Sequence, residues 1–124
     1  MSLHNSNVGT SLISYTSLEP ILNNIHETTR QGFYLSVLGP LVTSNYGTEL
    51  IKTLEQVLTD NLNISQAARS LYLHRNTLLY RLDKIKTLTG LDPRCFEDAV
   101  LLKIALTMHK NNKNYLTISH RIAY

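Results

Sequence analysis

Residues 63–91 read NISQAARSLYLHRNTLLYRLDKIKTLTGL, and the rest of the chain is organised around them. Ser65 is placed to cap a short first helix, its hydroxyl taking one of the unpaired amide protons of the first turn. Ala67 and Ala68 follow, small enough to let a second helix cross closely, and Leu71 adds apolar area one turn later. Tyr72-Leu73-His74 interrupts the pattern as a tight turn with Leu73 as its apolar plug. A second helix is expected from Arg75 to about Thr89, where Leu78, Leu82 and Ile85 recur at spacings of four and three and share one face. Leu88 borders that stripe, and Asn76, Thr77, Tyr80, Asp83, Lys84 and Thr87 lie opposite. Arg75, Arg81 and Lys86 flank the boundary on stems long enough to reach around it. Gly90 suits a left-handed helix end, with Leu91 packing back on the last turn. This is the layout of a helix-turn-helix, whose second helix enters the DNA major groove.

Charge supports that layout. From Ser65 to Thr89 five basic residues (Arg69, Arg75, Arg81, Lys84, Lys86) stand against one acid, Asp83, a net of +4. The whole chain of 124 residues, with 12 basic and 9 acidic side chains, is only +3, so the remainder sums to −1. A concentrated positive patch matters more for nucleic-acid binding than the total. His74, Arg75, Asn76 and Thr77 hold the leading positions of the second helix, which in this motif face base edges. Arg75 suits a bidentate pair with guanine and Asn76 one with adenine. Thr77 suits a thymine methyl or a phosphate. Tyr80, Arg81, Lys84 and the first-helix residues Ser65, Gln66 and Arg69 suit backbone contacts, which supply most affinity and make it fall with salt. The competing accounts are plainer: solvated helix charges for Arg75 and Arg81, helix-start capping for Asn76 and Thr77, a surface cover for Tyr80, and a structural role for His74.

Outward from the pair, the sequence predicts a scaffold of helices. Ser17 caps a short helix bearing Leu18, Ile21, Leu22 and Ile25, with Pro20 tolerated in its first turn. Gly32 separates it from a second short helix holding Phe33, Tyr34, Val37 and Leu38, and Gly39-Pro40 is expected to break that one. Thr48 caps the next helix, whose Leu50, Ile51, Leu54, Val57 and Leu58 form an amphipathic stripe. Asp92-Pro93 reads as a start signal for a last helix ending near Lys110, carrying Phe96, Val100, Leu102, Ile104, Leu106 and Met108. Its apolar surface is wider than one small domain covers, so either the N-terminal helices wrap it or part of it forms a subunit interface, and a dimer through this helix or the N-terminal pair is expected. Residues 1–16 are expected to form a flexible N-terminus with a short structured piece around Leu12 to Tyr15. Residues 17–110 are expected to form the helical domain, with the helix-turn-helix at about 64–90, and 111–124 a C-terminal tail.

Several classes of function are disfavoured. No run has the apolar length that crosses a bilayer. The single cysteine, Cys95, excludes an internal disulfide and fits a reducing compartment, so a cytoplasmic, nucleoid-associated location is expected. Five histidines show no ligand spacing, and there is no glycine-rich phosphate loop, nucleophile motif or carboxylate pair. The reading therefore names no catalytic residue, no metal and no cofactor, and it is not that of an enzyme.

The run AARSLYLHRNTLLYRLDKIKTLTGLDPRCFEDAVLLKIAL, residues 67–106, resembles the C-terminal helix-turn-helix of PucR-type bacterial transcription regulators, which include purine-catabolism and CdaR-like carbohydrate-diacid regulators. The most specific part is HRNTLLYRL at 74–82, followed by TGLD at 89–92. LGPL at 38–41 and GTELIKTLEQVL at 47–58 also resemble the family, so the likeness covers roughly residues 33–106. Tyr72 departs from it, standing at a turn position that is glycine in many such motifs. The resemblance implies a sequence-specific, double-stranded-DNA-binding domain of a bacterial transcription regulator. The fold would be all-α, a small helical domain with a central helix-turn-helix and flanking packing helices. It further implies a homodimer on a two-half-site operator, with any effector bound by a region absent from this chain. The alternative is a helical dimerisation or protein-interaction module without DNA contact, whose mark would be an acidic or apolar outer face on the second helix. RNA binding is a weaker rival, because no basic-aromatic stacking surface is evident.

Overall fold

The structure, a computed structural model, describes residues 17–123, and side chains through Lys110. The described residues form six helices and no strand: α1 (Glu19–Leu22), α2 (Glu27–Val42), α3 (Gly47–Thr59), α4 (Ile64–Ser70), α5 (Arg75–Thr89) and α6 (Phe96–Ala123). The expected all-α class holds. The residues 1–16 read as flexible, with the piece at Leu12 to Tyr15, lie outside the described residues.

One core joins the helices. Leu50, Leu54 and Val57 of α3 are buried as the sequence stripe requires, as are Leu78, Leu82 and Ile85 of α5. From α2 come Tyr34, Leu38 and Leu41, and from α6 Leu102, Ala105, Leu106 and Met108. α2 packs chiefly on α6 and α5, while α3 lies against α5, α2 and α4. The recognition-type pair thus rests on a platform of α2, α3 and α6.

The boundaries of five of the six helices differ from the sequence reading, each for a local reason. α1 ends at Leu22, and Leu18 rather than Ser17 is its N-cap, without a side-chain cap bond. α2 runs through Gly32 and through Gly39-Pro40, where breaks were expected. Burial of Tyr34, Leu38 and Leu41 along one face outweighs a glycine penalty of about 1 kcal/mol. Pro40 is exposed and sits in the final turn, so its missing N–H removes one bond near an end that frays in any case. α3 begins at Gly47 behind Tyr46, with no side-chain cap, so Thr48 does not fill that role. α4 is capped by Asn63, whose Oδ1 accepts from the Gln66 N–H at 3.0 Å; Ser65 already lies inside the first turn. α6 starts at Phe96, because Asp92 forms a turn instead: its Oδ1 accepts from the Arg94 N–H at 2.9 Å. That helix also continues to Ala123, past the end expected near Lys110, through a stretch that holds no glycine or proline to stop it.

Among the described residues, Gly47 is the one glycine whose lack of a side chain the packing requires. A Cβ there would lie 2.8 Å from the Leu41 carbonyl oxygen and 3.0 Å from that of Val42, so α3 starts directly against the end of α2. Gly47→Ala should therefore destabilise the fold by about 1–3 kcal/mol. Gly32→Ala, whose Cβ would meet nothing within 4 Å in an exposed helix interior, should stabilise it by about 1 kcal/mol. Urea unfolding of the two variants beside the parent chain measures both.

Candidate nucleic-acid interface

α4 is seven residues long and buries Ala67 and Ala68, so α5 approaches it closely. The turn between them is closed by the Leu71 N–H to Ala67 O and the Leu73 N–H to Ala68 O, both 2.9 Å. Tyr72 sits there at φ 56, the left-handed conformation that glycine adopts at no cost in this position. Tyr72 is 96% exposed, a surface feature that residue order did not single out.

α5 spans Arg75 to Thr89 as the sequence predicts. His74 is its N-cap in extended backbone, with Nδ1 accepting from the Asn76 N–H at 3.0 Å. Asn76 and Thr77 are thereby free of the capping duty that was their plainer explanation. Gly90, at φ 78, ends the helix, and its N–H donates to Lys86 O at 2.8 Å.

Most of the candidate residues come together on one exposed edge. Asn76, Thr77 and Tyr80 face outward along α5, with Tyr80 64% exposed. Arg75 donates from Nη1 to Ser65 Oγ at 3.1 Å, which ties the start of α5 to the first turn of α4. Arg69 donates from Nη2 to Gln66 Oε1 at 2.9 Å. The Lys84 ammonium lies 4.8 Å from the centre of the Tyr46 ring and 5.8 Å from that of Tyr80, so two aromatic faces hold it without cancelling its charge.

Arg81 is placed differently. Its Nη2 lies 3.2 Å from Glu49 Oε2, and its Nη1 donates to the buried Thr53 Oγ1 at 3.3 Å. Both partners belong to α3, so this arginine braces α5 against the platform rather than pointing away from it.

Arg94 is the residue that sequence reasoning missed. Its Nη2 is 2.8 Å from Asp83 Oδ1, and its Nε is 2.8 Å from Asp92 Oδ1. It therefore matches the one acid of α5 and fixes the turn that leads into α6. Hydrogen bonding by Arg94 holds the Asp92 carboxyl below its ordinary range, against a smaller opposing effect of burial, and Lys86 at 3.9 Å adds to the lowering. The Arg94 guanidinium is raised in turn, first by Asp92 and then by Asp83. Asp83 and Arg94 stand eleven positions apart across a turn, a spacing with no helical period to reveal it.

Among the described residues no group of three or more His, Cys, Asp or Glu side chains is arranged to hold a metal ion, and no helix is long and apolar enough to cross a membrane.

Residues 50–108 match the model of the PucR C-terminal helix-turn-helix domain. The chain is 39% identical over 71 residues to the carbohydrate diacid regulator of Escherichia coli, covering 57% of this chain and 18% of that protein. It is 37% identical over 79 residues to the purine catabolism regulatory protein of Bacillus subtilis, covering 63% of this chain and 15% of that protein. It therefore spans less than a fifth of either relative. The crystal structure of a regulator of polyketide synthase expression from Bifidobacterium adolescentis matches with a TM-score of 0.63 at 27% identity, covering 68% of this chain and 35% of that one.

The Asp92 turn has a pH signature. A carboxyl whose folded pKa is depressed contributes stability above its unfolded value, near 3.8 here, and loses it as pH falls through the lower folded value. Asp92→Asn should unfold at lower urea than the parent chain near neutral pH. The two midpoints should converge as the solution is acidified below about pH 4.

Proposed function

Residues 50–108 belong to the PucR C-terminal helix-turn-helix family, a domain of DNA-binding transcription regulators, and from that premise we propose that α5 reads the major groove of a double-stranded operator. Arg75 and Asn76 are the base-reading pair in this account, with Thr77 beside them. Ser65, Gln66, Arg69, His74, Tyr80 and Lys84 hold the phosphate backbone on either side of the groove. The exposed ring of Tyr72 joins them as a flat surface against the sugar-phosphate edge. Arg81 serves the interface indirectly, by fixing the angle at which α5 leaves α3.

One observation carries this reading: the arginines sort by partner. Arg69 and Arg75, on the exposed edge of α4 and α5, are oriented by neutral oxygens of Gln66 and Ser65, so their charges stay available. Arg81 and Arg94 are bound to carboxylates, and Arg94 matches the one acid on α5. The result is a basic surface with its charged groups pre-oriented, which lowers the ordering cost of binding. An interaction module without DNA contact would want an acidic or apolar outer face, which Asn76, Thr77 and Lys84 do not supply.

The remaining parts of the reading follow from the motif. Two copies as a homodimer would place their α5 helices about one DNA turn apart, roughly 34–36 Å, on a two-half-site operator. Effector sensing would belong to a region absent from this chain, and the working location would be the cytoplasm, at the nucleoid.

Fluorescence anisotropy against duplex DNA at several salt concentrations tests the assignment. Arg75→Ala and Asn76→Ala should each weaken binding to a selected operator by about 1–3 kcal/mol and relax base preference at one position. Arg69→Ala should weaken all duplexes alike and lower the slope of log affinity on log salt by about 1. A folded chain that ignores duplex DNA at low salt would overturn the proposal.

A further inference from the structure

Tyr46 is an aromatic residue that neither the core nor the helix pair accounts for. It stands in the short connection between α2 and α3, is 54% exposed and takes no part in the buried cluster. Its backbone is nevertheless closely fixed. The Tyr46 N–H donates to Ser44 Oγ at 3.0 Å, and its carbonyl accepts from the Leu50 N–H at 3.0 Å. Gly47, the next residue, lies against the end of α2. The tyrosine is therefore carried on a well-anchored corner.

What its ring meets is Lys84. The ammonium lies 4.8 Å from the centre of the Tyr46 ring and 5.8 Å from that of Tyr80, both inside the roughly 6 Å over which an aromatic face attracts a cation. The two lysines of α5 differ in this respect. Lys86 lies 3.9 Å from Asp92 Oδ2, whereas among the described residues no carboxylate is paired with Lys84. A carboxylate would offset the charge it holds; an aromatic face holds the ammonium and leaves its charge whole. A lysine stem loses much rotamer freedom when it grips a ligand. Lys84 has given up part of that freedom beforehand, which lowers the cost of the contact. Tyr80 is one turn before Lys84 on the same helix, and only Tyr46 brings a face from another element. We propose that Tyr46 is the positioning residue of Lys84, its ring holding the ammonium on the outer face of α5 where it meets a phosphate of the DNA backbone. The inference rests on the reading of α5 as the DNA-binding helix and extends the interface to a corner outside the helix-turn-helix. It also ties that interface to the platform, since the same corner is where α3 is set against α2.

Two substitutions in the full chain separate the ring face from the rest of the side chain. Tyr46→Leu keeps an apolar group and removes the aromatic face; Tyr46→Phe keeps the face and removes the hydroxyl. Circular dichroism and urea midpoints verify that both variants keep the fold. Duplex affinity is measured by fluorescence anisotropy for each, for Lys84→Ala, and for Tyr46→Leu combined with Lys84→Ala. Tyr46→Leu should weaken a selected operator and an unrelated duplex alike by about three-fold, the size of an exposed cation–π contact. Tyr46→Phe should bind as the parent does, and Tyr46→Leu should have no further effect in the Lys84→Ala background. The proposal is overturned if Tyr46→Leu binds like the parent, if its effect persists undiminished in the Lys84→Ala background, or if Tyr46→Phe binds as weakly as Tyr46→Leu. NMR of the free chain supplies a readout that does not involve DNA. Ring currents should place the Lys84 ε-methylene protons upfield, and Tyr46→Leu should return them toward the ordinary lysine position. Unshifted protons in the parent overturn the cradle itself. Shifted protons in a chain that binds no duplex overturn the DNA reading, and the role of Tyr46 falls with it.

Discussion

α5 must bury one face and leave the other free, and everything else in the structure answers to that constraint. The row Leu78, Leu82 and Ile85 has no exposure, so the helix cannot roll without opening the core. A packed interior tolerates little change of shape, and its rows therefore act as a register. The Arg81 bonds to Glu49 and Thr53 set the same helix from the side. A helix of fifteen residues that would be marginal alone is held by tertiary packing at a fixed orientation. Its opposite face, with Asn76, Thr77 and Tyr80, is then presented as a consequence of the core rather than by any contact of its own.

The same platform explains why glycine appears where it does. α3 is the shared wall of the domain, touching α2, α4, α5 and α6. It can begin against the last turn of α2 only because Gly47 has no Cβ. Tyr72 and Gly90 are the opposite case, two left-handed positions, one in the turn between α4 and α5 filled by an aromatic residue and one at the end of α5 filled by glycine. The tyrosine accepts an unfavourable backbone in the turn and puts its whole ring outside. Strain that survives in a well-packed turn points to a use for the side chain, and Tyr72 lies beside the proposed DNA surface.

Charge is organised by partner rather than by number. The sequence shows a basic cluster between Ser65 and Thr89, but only the structure separates its members. Arg81 is committed to α3, Lys84 is cradled by Tyr46 and Tyr80, and Arg69 and Arg75 are oriented by neutral side chains. Arg94, outside the cluster, offsets Asp83 inside it. Salt bridges at such exposed sites add little to stability, so their main effect is on the field the surface presents. The chain spans less than a fifth of the carbohydrate diacid and purine catabolism regulators that it matches.

Much of this was legible from residue order alone. The period of 3.6 identifies α3 and α5, since a buried stripe needs only its own helix to be read, and the flanking turn and Gly90 bracket α5. The charge of the pair and its outward residues followed from the same period. Tertiary structure decided the rest. Gly32, Gly39 and Pro40 punctuate the sequence yet lie inside α2, because burial of Tyr34, Leu38 and Leu41 exceeds their local penalties. Capping passed from Ser65 to Asn63, from Thr48 to the Tyr46 backbone, and from the Asn76–Thr77 pair to His74, since a cap depends on backbone angles that composition does not record. The partners of Arg81 and Arg94 stand 28 and 11 positions away, and no periodicity connects them. Local pattern determined which residues form helices and which face of each is apolar; the meeting of those faces in three dimensions decided where helices end and which charges remain free.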